Sequence, residues 1–153
     1  MSVPGPAPRR EEMLVDAEAT ERLGERLGVE MPPGAILGLS GPLGAGKTTL
    51  ARGALRALGV REAVVSPTFL GLRRYSTADS GIVYHIDLYR SEDATWLWGE
   101  GVDDDLDDGA RAVVEWIDRD RRLAADAWAI VELDVVELDD GQTGRRARIR
   151  RHR

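Results

Sequence analysis

The side chains best placed to do chemistry stand together in Gly41-Pro42-Leu43-Gly44-Ala45-Gly46-Lys47-Thr48-Thr49. This stretch fits the phosphate-binding pattern of Gly, four residues, then Gly-Lys-Thr. In that pattern the glycines let the backbone curl until successive N–H groups converge on one phosphate, and the helix that follows adds the positive end of its dipole. Lys47 is then expected to reach the β and γ phosphates, and the Thr48 hydroxyl to be the first protein ligand of a magnesium ion. The chain carries 21 basic side chains, and Lys47 is its only lysine. A compact ammonium suits the inside of such a loop, where a planar guanidinium fork does not fit.

Phosphate binding becomes catalysis only when a carboxylate at the end of a neighbouring strand helps to hold the metal or the attacking water. Three acids qualify. Glu115 ends the strand-like segment Arg111 to Glu115, Asp87 ends the run from Val83, and Glu132 lies in an alternating segment where a solvent-facing acid is expected anyway. The reading favours Glu115 for magnesium and Asp87 for orienting water or completing the metal shell. His85, two residues before Asp87, shares its strand face and is expected to steer that carboxylate by a hydrogen bond, with direct catalysis by the imidazole as the lesser alternative.

These groups need elements to carry them. Ala35 to Ser40 is apolar and reads as a buried strand entering the loop, and Thr49 to Leu58 places Leu50, Ala54, Leu55 and Leu58 on one helical side, ending at Gly59. Upstream, Met13 to Val15 reads as a short strand. Asp16 then caps a helix whose apolar face is Ala19, Leu23 and Leu27 and whose end is expected at Gly28. Downstream, Leu70 to Tyr75 and Gly81 to Leu88 form a hairpin, Ser91 to Asp108 mixes helix and loop, and Ala129 to Leu138 with Arg145 to Ile149 form a second hairpin around Asp140-Gly141. Trp96 and Trp98 are two apart and cannot share a helical face. The pattern predicts an α/β, P-loop NTPase-like domain of three layers around a mixed central β-sheet.

The chain has 153 residues, enough for one domain over 11–150, preceded by a Pro-rich tail over 1–10 expected to be disordered and followed by a basic tail over 151–153. It has no cysteine, so disulfides, thiolate metal sites and thiol nucleophiles are excluded. No apolar run approaches the ~20 residues of a membrane span and no signal peptide is evident, so a soluble, cytoplasmic protein is expected. The net charge of -6 argues against a general nucleic-acid binder. Acid gathers between Glu92 and Asp108, whereas Arg145, Arg146, Arg148, Arg150, Arg151 and Arg153 crowd the C-terminus. That end suits a contact with RNA or an acidic partner, or else an exposed edge strand with a solvated tail. Arg145 and Arg148 fall in the alternating part of the strand, and Arg150 onward is expected to lie beyond it. Guanine recognition of the Asn-Lys-x-Asp type is excluded, because the chain has no asparagine.

The phosphate loop, Ser66-Pro67-Thr68-Phe69, His85-Ile86-Asp87-Leu88-Tyr89-Arg90 and Glu115-Trp116, in this order and at these separations, resemble the bacterial TsaE (YjeE) family over about Asp16 to Arg148. The resemblance implies an ATPase required for threonylcarbamoyladenosine modification of tRNA at position 37, supporting a transferase assembled from TsaD and TsaB. It implies ATP and Mg2+ as cofactors, Thr48 and Glu115 as metal ligands, and Asp87 as the functionally important aspartate. Gly41 and Leu43 to Thr49 would enclose the nucleotide, joined by Thr20 of the first helix, Thr68 in a nucleotide-sensing segment with Ser66 and Pro67, Trp116, and Arg145 from the last hairpin. The chain departs from the family's pattern at Pro42, where many relatives have an acid, and at Trp98, where some carry a glutamate ahead of Gly101. Two other readings share the loop: a small-molecule kinase, which would need an acceptor pocket and an arginine-bearing lid, and a nucleotide-gated binding module with negligible turnover.

Overall fold

The computed structural model describes residues 9–64, 71–92 and 94–152. Among the described residues seven strands form one sheet: β1 (Arg9–Leu14), β2 (Ile36–Ser40), β3 (Leu72–Thr77), β4 (Gly81–Asp87), β5 (Arg111–Glu115), β6 (Ala129–Glu137) and β7 (Thr143–Arg151). They lie in the order β1-β7-β6-β2-β5-β4-β3. The central strands β6, β2, β5 and β4 are parallel, while β7 and β3 run antiparallel to their neighbours, so the sheet is mixed as expected. Helices α1 (Ala17–Glu30) and α2 (Lys47–Ala57) cover one face. The short helices α3 (Trp96–Gly99), α4 (Val102–Asp107) and α5 (Arg121–Asp126), with a 3-10 turn over Ile117–Arg119, cover the other.

Strand periodicity divides the apolar residues between two cores. Leu37 and Leu39 of β2 pack with Val113, Val131 and the buried Leu50, Ala54 and Leu55 of α2, whereas Ile36 joins Ala112, Val114, Ile117 and Leu123 on the opposite face. Burying one such side chain contributes roughly 1.5–3 kcal/mol, so each face is held by its own set of helices. The three-layer arrangement follows.

The structure revises several expected boundaries. Asp16 does cap α1, accepting the Ala19 N–H at 2.7 Å, but the helix continues past Gly28 to Glu30. Gly28 is a contact residue instead of a terminator: a Cβ there would stand 2.6 Å from the Ala54 carbonyl oxygen and 2.8 Å from Ala57 Cβ of α2. Arg9 and Arg10, expected in a disordered tail, belong to β1, where they pair with Arg150 and Ile149. Arg150 and Arg151, expected beyond the last strand, lie within β7. Arg151 is ion-paired to Glu30 and stacked over Trp128, so this end of the chain is held by its neighbours on both sides. Trp96 is partly buried, with its Nε1–H donating to Ser91 Oγ at 3.0 Å, whereas Trp98 is exposed. Among the described residues no helix is long and apolar enough to cross a membrane.

Candidate nucleotide site

β2 delivers the glycine-rich loop to the carboxyl edge of the parallel strands, where open α/β sheets place their ligand crevices. The turn into α2 is made at Gly46, whose φ of 102° belongs to the left-handed region that glycine adopts without a Cβ penalty. The Leu50 N–H then donates to the Gly46 carbonyl at 2.9 Å and closes the first helical turn. Lys47 and Thr48 therefore stand at the helix start, next to the ends of β4 and β5.

Lys47 is 5 % exposed. Its ammonium donates to the carbonyls of Gly41 at 2.6 Å and Pro42 at 2.8 Å, and lies 4.1 Å from the centre of the Trp116 ring. Burial pulls its pKa below the ordinary lysine value, while the carboxylates of Glu115, Asp118 and Asp87 oppose that shift. Trp116 is itself unusual: it is the only described non-glycine residue with positive φ, at 60°. Strain of that kind is kept where the surroundings over-determine a conformation. Here the ring packs against Tyr89 at 4.9 Å between centroids, and the Arg119 guanidinium lies 5.3 Å from it and 5.8 Å from the Tyr89 ring.

The strand register brings the acids to the same place. β4 and β5 are parallel with Asp87 opposite Glu115, so both carboxylates face α2 at the carboxyl edge. The Thr48 hydroxyl donates to Glu115 Oε1 at 2.7 Å. His85 Nε2 lies 2.6 Å from Glu115 Oε2, which corrects the expected partnership of His85 with Asp87. Asp87 is turned instead toward the backbone, accepting the Tyr89 N–H at 2.9 Å. Burial raises the Asp87 pKa above the usual carboxylate value; the Tyr89 bond counters it and the charge of Glu115 adds to it. Glu132 is exposed on β6, opposite Ser40, outside this cleft.

A cavity of ≈ 310 Å³ is bounded by the loop, Lys47, Thr48, Asp87, Tyr89, Glu115 and Trp116. A second of ≈ 310 Å³ adjoins it across Gly44, Gly46 and Thr49 and is lined by Asp16, Thr20 and Arg145. Thr20 is buried, and its methyl carbon lies 3.4 Å from where a Gly46 Cβ would stand. Arg145 reaches the loop from β7: its Nε donates to the Ala45 carbonyl at 3.1 Å and its Nη2 to the Gly44 carbonyl at 3.0 Å. Leu43, Gly44, Gly46, Lys47, Thr48, Thr49, Thr20, Asp87, Glu115, Trp116 and Arg145 thus line two adjoining cavities, while Gly41 and Ala45 line neither and hold Lys47 and Arg145 through their carbonyls. Ser66, Pro67 and Thr68 lie outside the described residues. Sequence reasoning left out Tyr89 and Arg119, whose only local signal is an aromatic or basic residue just past a strand end.

The cleft's donor set is hydroxyl and carboxylate oxygen, the hard ligands that magnesium prefers. Among the described residues no group of three or more His, Asp or Glu side chains could enclose a metal.

Comparison with known proteins gives the family of the chain. The sequence model of the family described as Threonylcarbamoyl adenosine biosynthesis protein TsaE matches residues 14–147. The tRNA threonylcarbamoyladenosine biosynthesis protein TsaE of Aquifex aeolicus is 34% identical over 132 residues, covering 84% of this chain and 89% of that protein. The TsaE protein of Synechocystis is 44% identical over 77 residues, covering 50% of this chain and about half, 48%, of its own length. The crystal structure of Bacillus subtilis YdiB superposes with a TM-score of 0.69 at 23% identity, covering 95% of this chain and 86% of that one, and shares the fold. The chain belongs to the TsaE family of threonylcarbamoyladenosine biosynthesis proteins.

Proposed function

We propose that this protein binds ATP with magnesium in the joined cavities and hydrolyses it in the cytoplasm in support of tRNA threonylcarbamoyladenosine modification at position 37, acting with TsaD and TsaB homologues. The observation that carries the reading is the convergence of the glycine-rich loop, the buried Lys47 ammonium and the Thr48–Glu115 contact of 2.7 Å at one sheet edge. The loop's N–H groups and Lys47 would bind the phosphates, while the cavity beside Thr20 and Arg145 offers room for the nucleoside. Thr48 and Glu115 would hold magnesium. When bound, the cation would offset charge on the phosphate oxygens. Asp87, one strand away from Glu115, is placed to orient a water or complete the metal's oxygen shell. Hydrolysis needs positioning and charge stabilisation more than covalent chemistry from the protein, which suits so small a set of side chains.

Calorimetric titration of ATP with Mg2+, followed by turnover measurements with and without purified TsaD and TsaB homologues, tests the reading. Wild-type protein is expected to bind, Lys47→Ala and Lys47→Arg to lose binding, and Glu115→Gln to bind but turn over ~10² to 10³ more slowly, the usual cost of one well-placed electrostatic group. Undiminished ATP affinity in Lys47→Ala would overturn it.

A further inference from the structure

Glu115 is 2% exposed, and each of its oxygens is engaged by a different neighbour: Oε1 by the Thr48 hydroxyl, Oε2 by His85 Nε2 at 2.6 Å. His85 is fully buried at 0% exposure. In the β4–β5 register His85 stands opposite Val113, two residues back from the Asp87–Glu115 pair on the same face of the sheet, so it lies beneath Glu115 on the side away from the strand ends. The carboxylate is therefore gripped between a ring behind it and the Thr48 hydroxyl of α2 in front.

The chemistry of the two groups assigns the proton. A carboxylate Oε2 and a bare imidazole nitrogen at 2.6 Å would be two acceptors face to face, so Nε2 must carry the hydrogen. Nδ1 is the ring atom left buried without a partner among the described residues. The opposite tautomer would bury an unpaired Nδ1–H as well as the acceptor clash, and orphaned donors are rarer than under-satisfied acceptors. An apolar side chain of like volume would fill the same space but leave Oε2 buried without a donor, which costs about 1–3 kcal/mol. The ring is thus explained by what it does for Glu115.

We propose that His85 is a positioning residue: by holding Oε2 it fixes the plane of the Glu115 carboxylate and presents Oε1 to Thr48, where a divalent cation would be shared. The inference rests on the cation reading of the cleft given above. Partners that orient a metal-binding carboxylate from behind commonly change metal affinity by about 10- to 100-fold when removed. Nucleotide binding through the backbone loop does not pass through His85 and is expected to be independent of it.

Two substitutions separate positioning from bulk. In His85→Gln the amide nitrogen can occupy the place of Nε2, whereas in His85→Asn the donor is too short and falls near Nδ1. Mn2+ is the probe, its affinity in the presence of ADP read by electron paramagnetic resonance, with ADP affinity in chelator measured on the same samples. His85→Asn is expected to bind Mn2+ about 10- to 100-fold more weakly, His85→Gln close to wild type, and both to keep metal-free ADP affinity. Equal Mn2+ affinity in wild type and His85→Asn overturns the positioning role alone. Failure of the wild type to bind Mn2+ with ADP overturns the cation reading and the inference with it. Nitrogen-15 spectra of the wild-type ring give a measure that needs no variant: a protonated Nε2 is expected, and an unprotonated Nε2 would refute the proposal even if His85→Asn does not fold.

Discussion

Asp87 has to be half-buried beside a second carboxylate to serve the cleft, and that placement works against folding. Its pKa is raised, chiefly by burial, so the native state favours the protonated form more than the unfolded chain does. The sign follows from linkage: the native state is favoured below the ordinary aspartate range, and that advantage is lost as pH rises through the raised native value. At neutral pH the ionised side chain is a net burden. Asp87→Asn keeps an oxygen to accept the Tyr89 N–H and removes the charge, so its melting temperature without nucleotide or metal is expected to exceed wild type at pH 7. The gap should close as pH falls toward the ordinary aspartate range. Thermal melts across pH decide it, and a variant less stable than wild type at neutral pH would contradict the account. At this scale the loop residues, Asp87 and Glu115 were legible because strand, loop and carboxylate follow one another along the chain. The His85–Glu115 bond was not, since it depends on the register of β4 against β5, and periodicity alone pointed His85 at its own strand neighbour.

Helix α1 holds the loop's helix in place through an unusually close crossing. Gly24 lies against the Leu50 carbonyl of α2, Gly28 against Ala54, and Gly53 of α2 against Glu21 of α1. In sequence Gly28 resembled a helix stop, because local rules cannot distinguish a glycine that frees the backbone from one that admits a neighbour. α2, by contrast, was readable almost to the residue, since its apolar spacing and Gly59 agree with its packing. The same substitution should therefore have opposite outcomes at two helical sites. Gly28→Ala gains some helix propensity but drives a Cβ to 2.6 Å from a backbone oxygen that belongs to another helix and cannot turn aside. Overpacking of this kind costs about 1–3 kcal/mol and is expected to win. Gly99→Ala at the end of α3 meets nothing within 4 Å and should be neutral or gain up to ~1 kcal/mol. Urea unfolding of both variants checks the contrast. Stabilisation by Gly28→Ala would mean the helices can separate freely.

Across the whole molecule, β7 is the strand that ties the ends together: it runs between β1 and β6, so the N-terminal strand is locked in only after the C-terminal one is present. Alternation made the β6–β7 hairpin legible, but the place of β1 beside β7 was not, because pairing between the two ends of a chain leaves no local pattern. The same strand carries arginines to opposite ends of the fold. Arg145 and Arg151 are six residues apart, about 20 Å at ~3.4 Å per residue. Arg145 holds the carbonyls of Gly44 and Ala45, whereas Arg151 meets Glu30 and Trp128. A guanidinium fixed on the loop makes charge-assisted bonds worth roughly 1.5–3 kcal/mol, and its removal frees the loop that would receive the phosphates. Arg145→Ala should accordingly weaken ADP binding by on the order of tenfold or more. The Arg151 contacts are partly exposed, so Arg151→Ala should cost no more than ~1 kcal/mol of stability and leave ADP affinity unchanged. Calorimetric ADP titration and thermal melts on both variants separate the two roles. Equal losses of ADP affinity would show that the far end of β7 also controls the loop, and the division of labour along the strand would have to be abandoned.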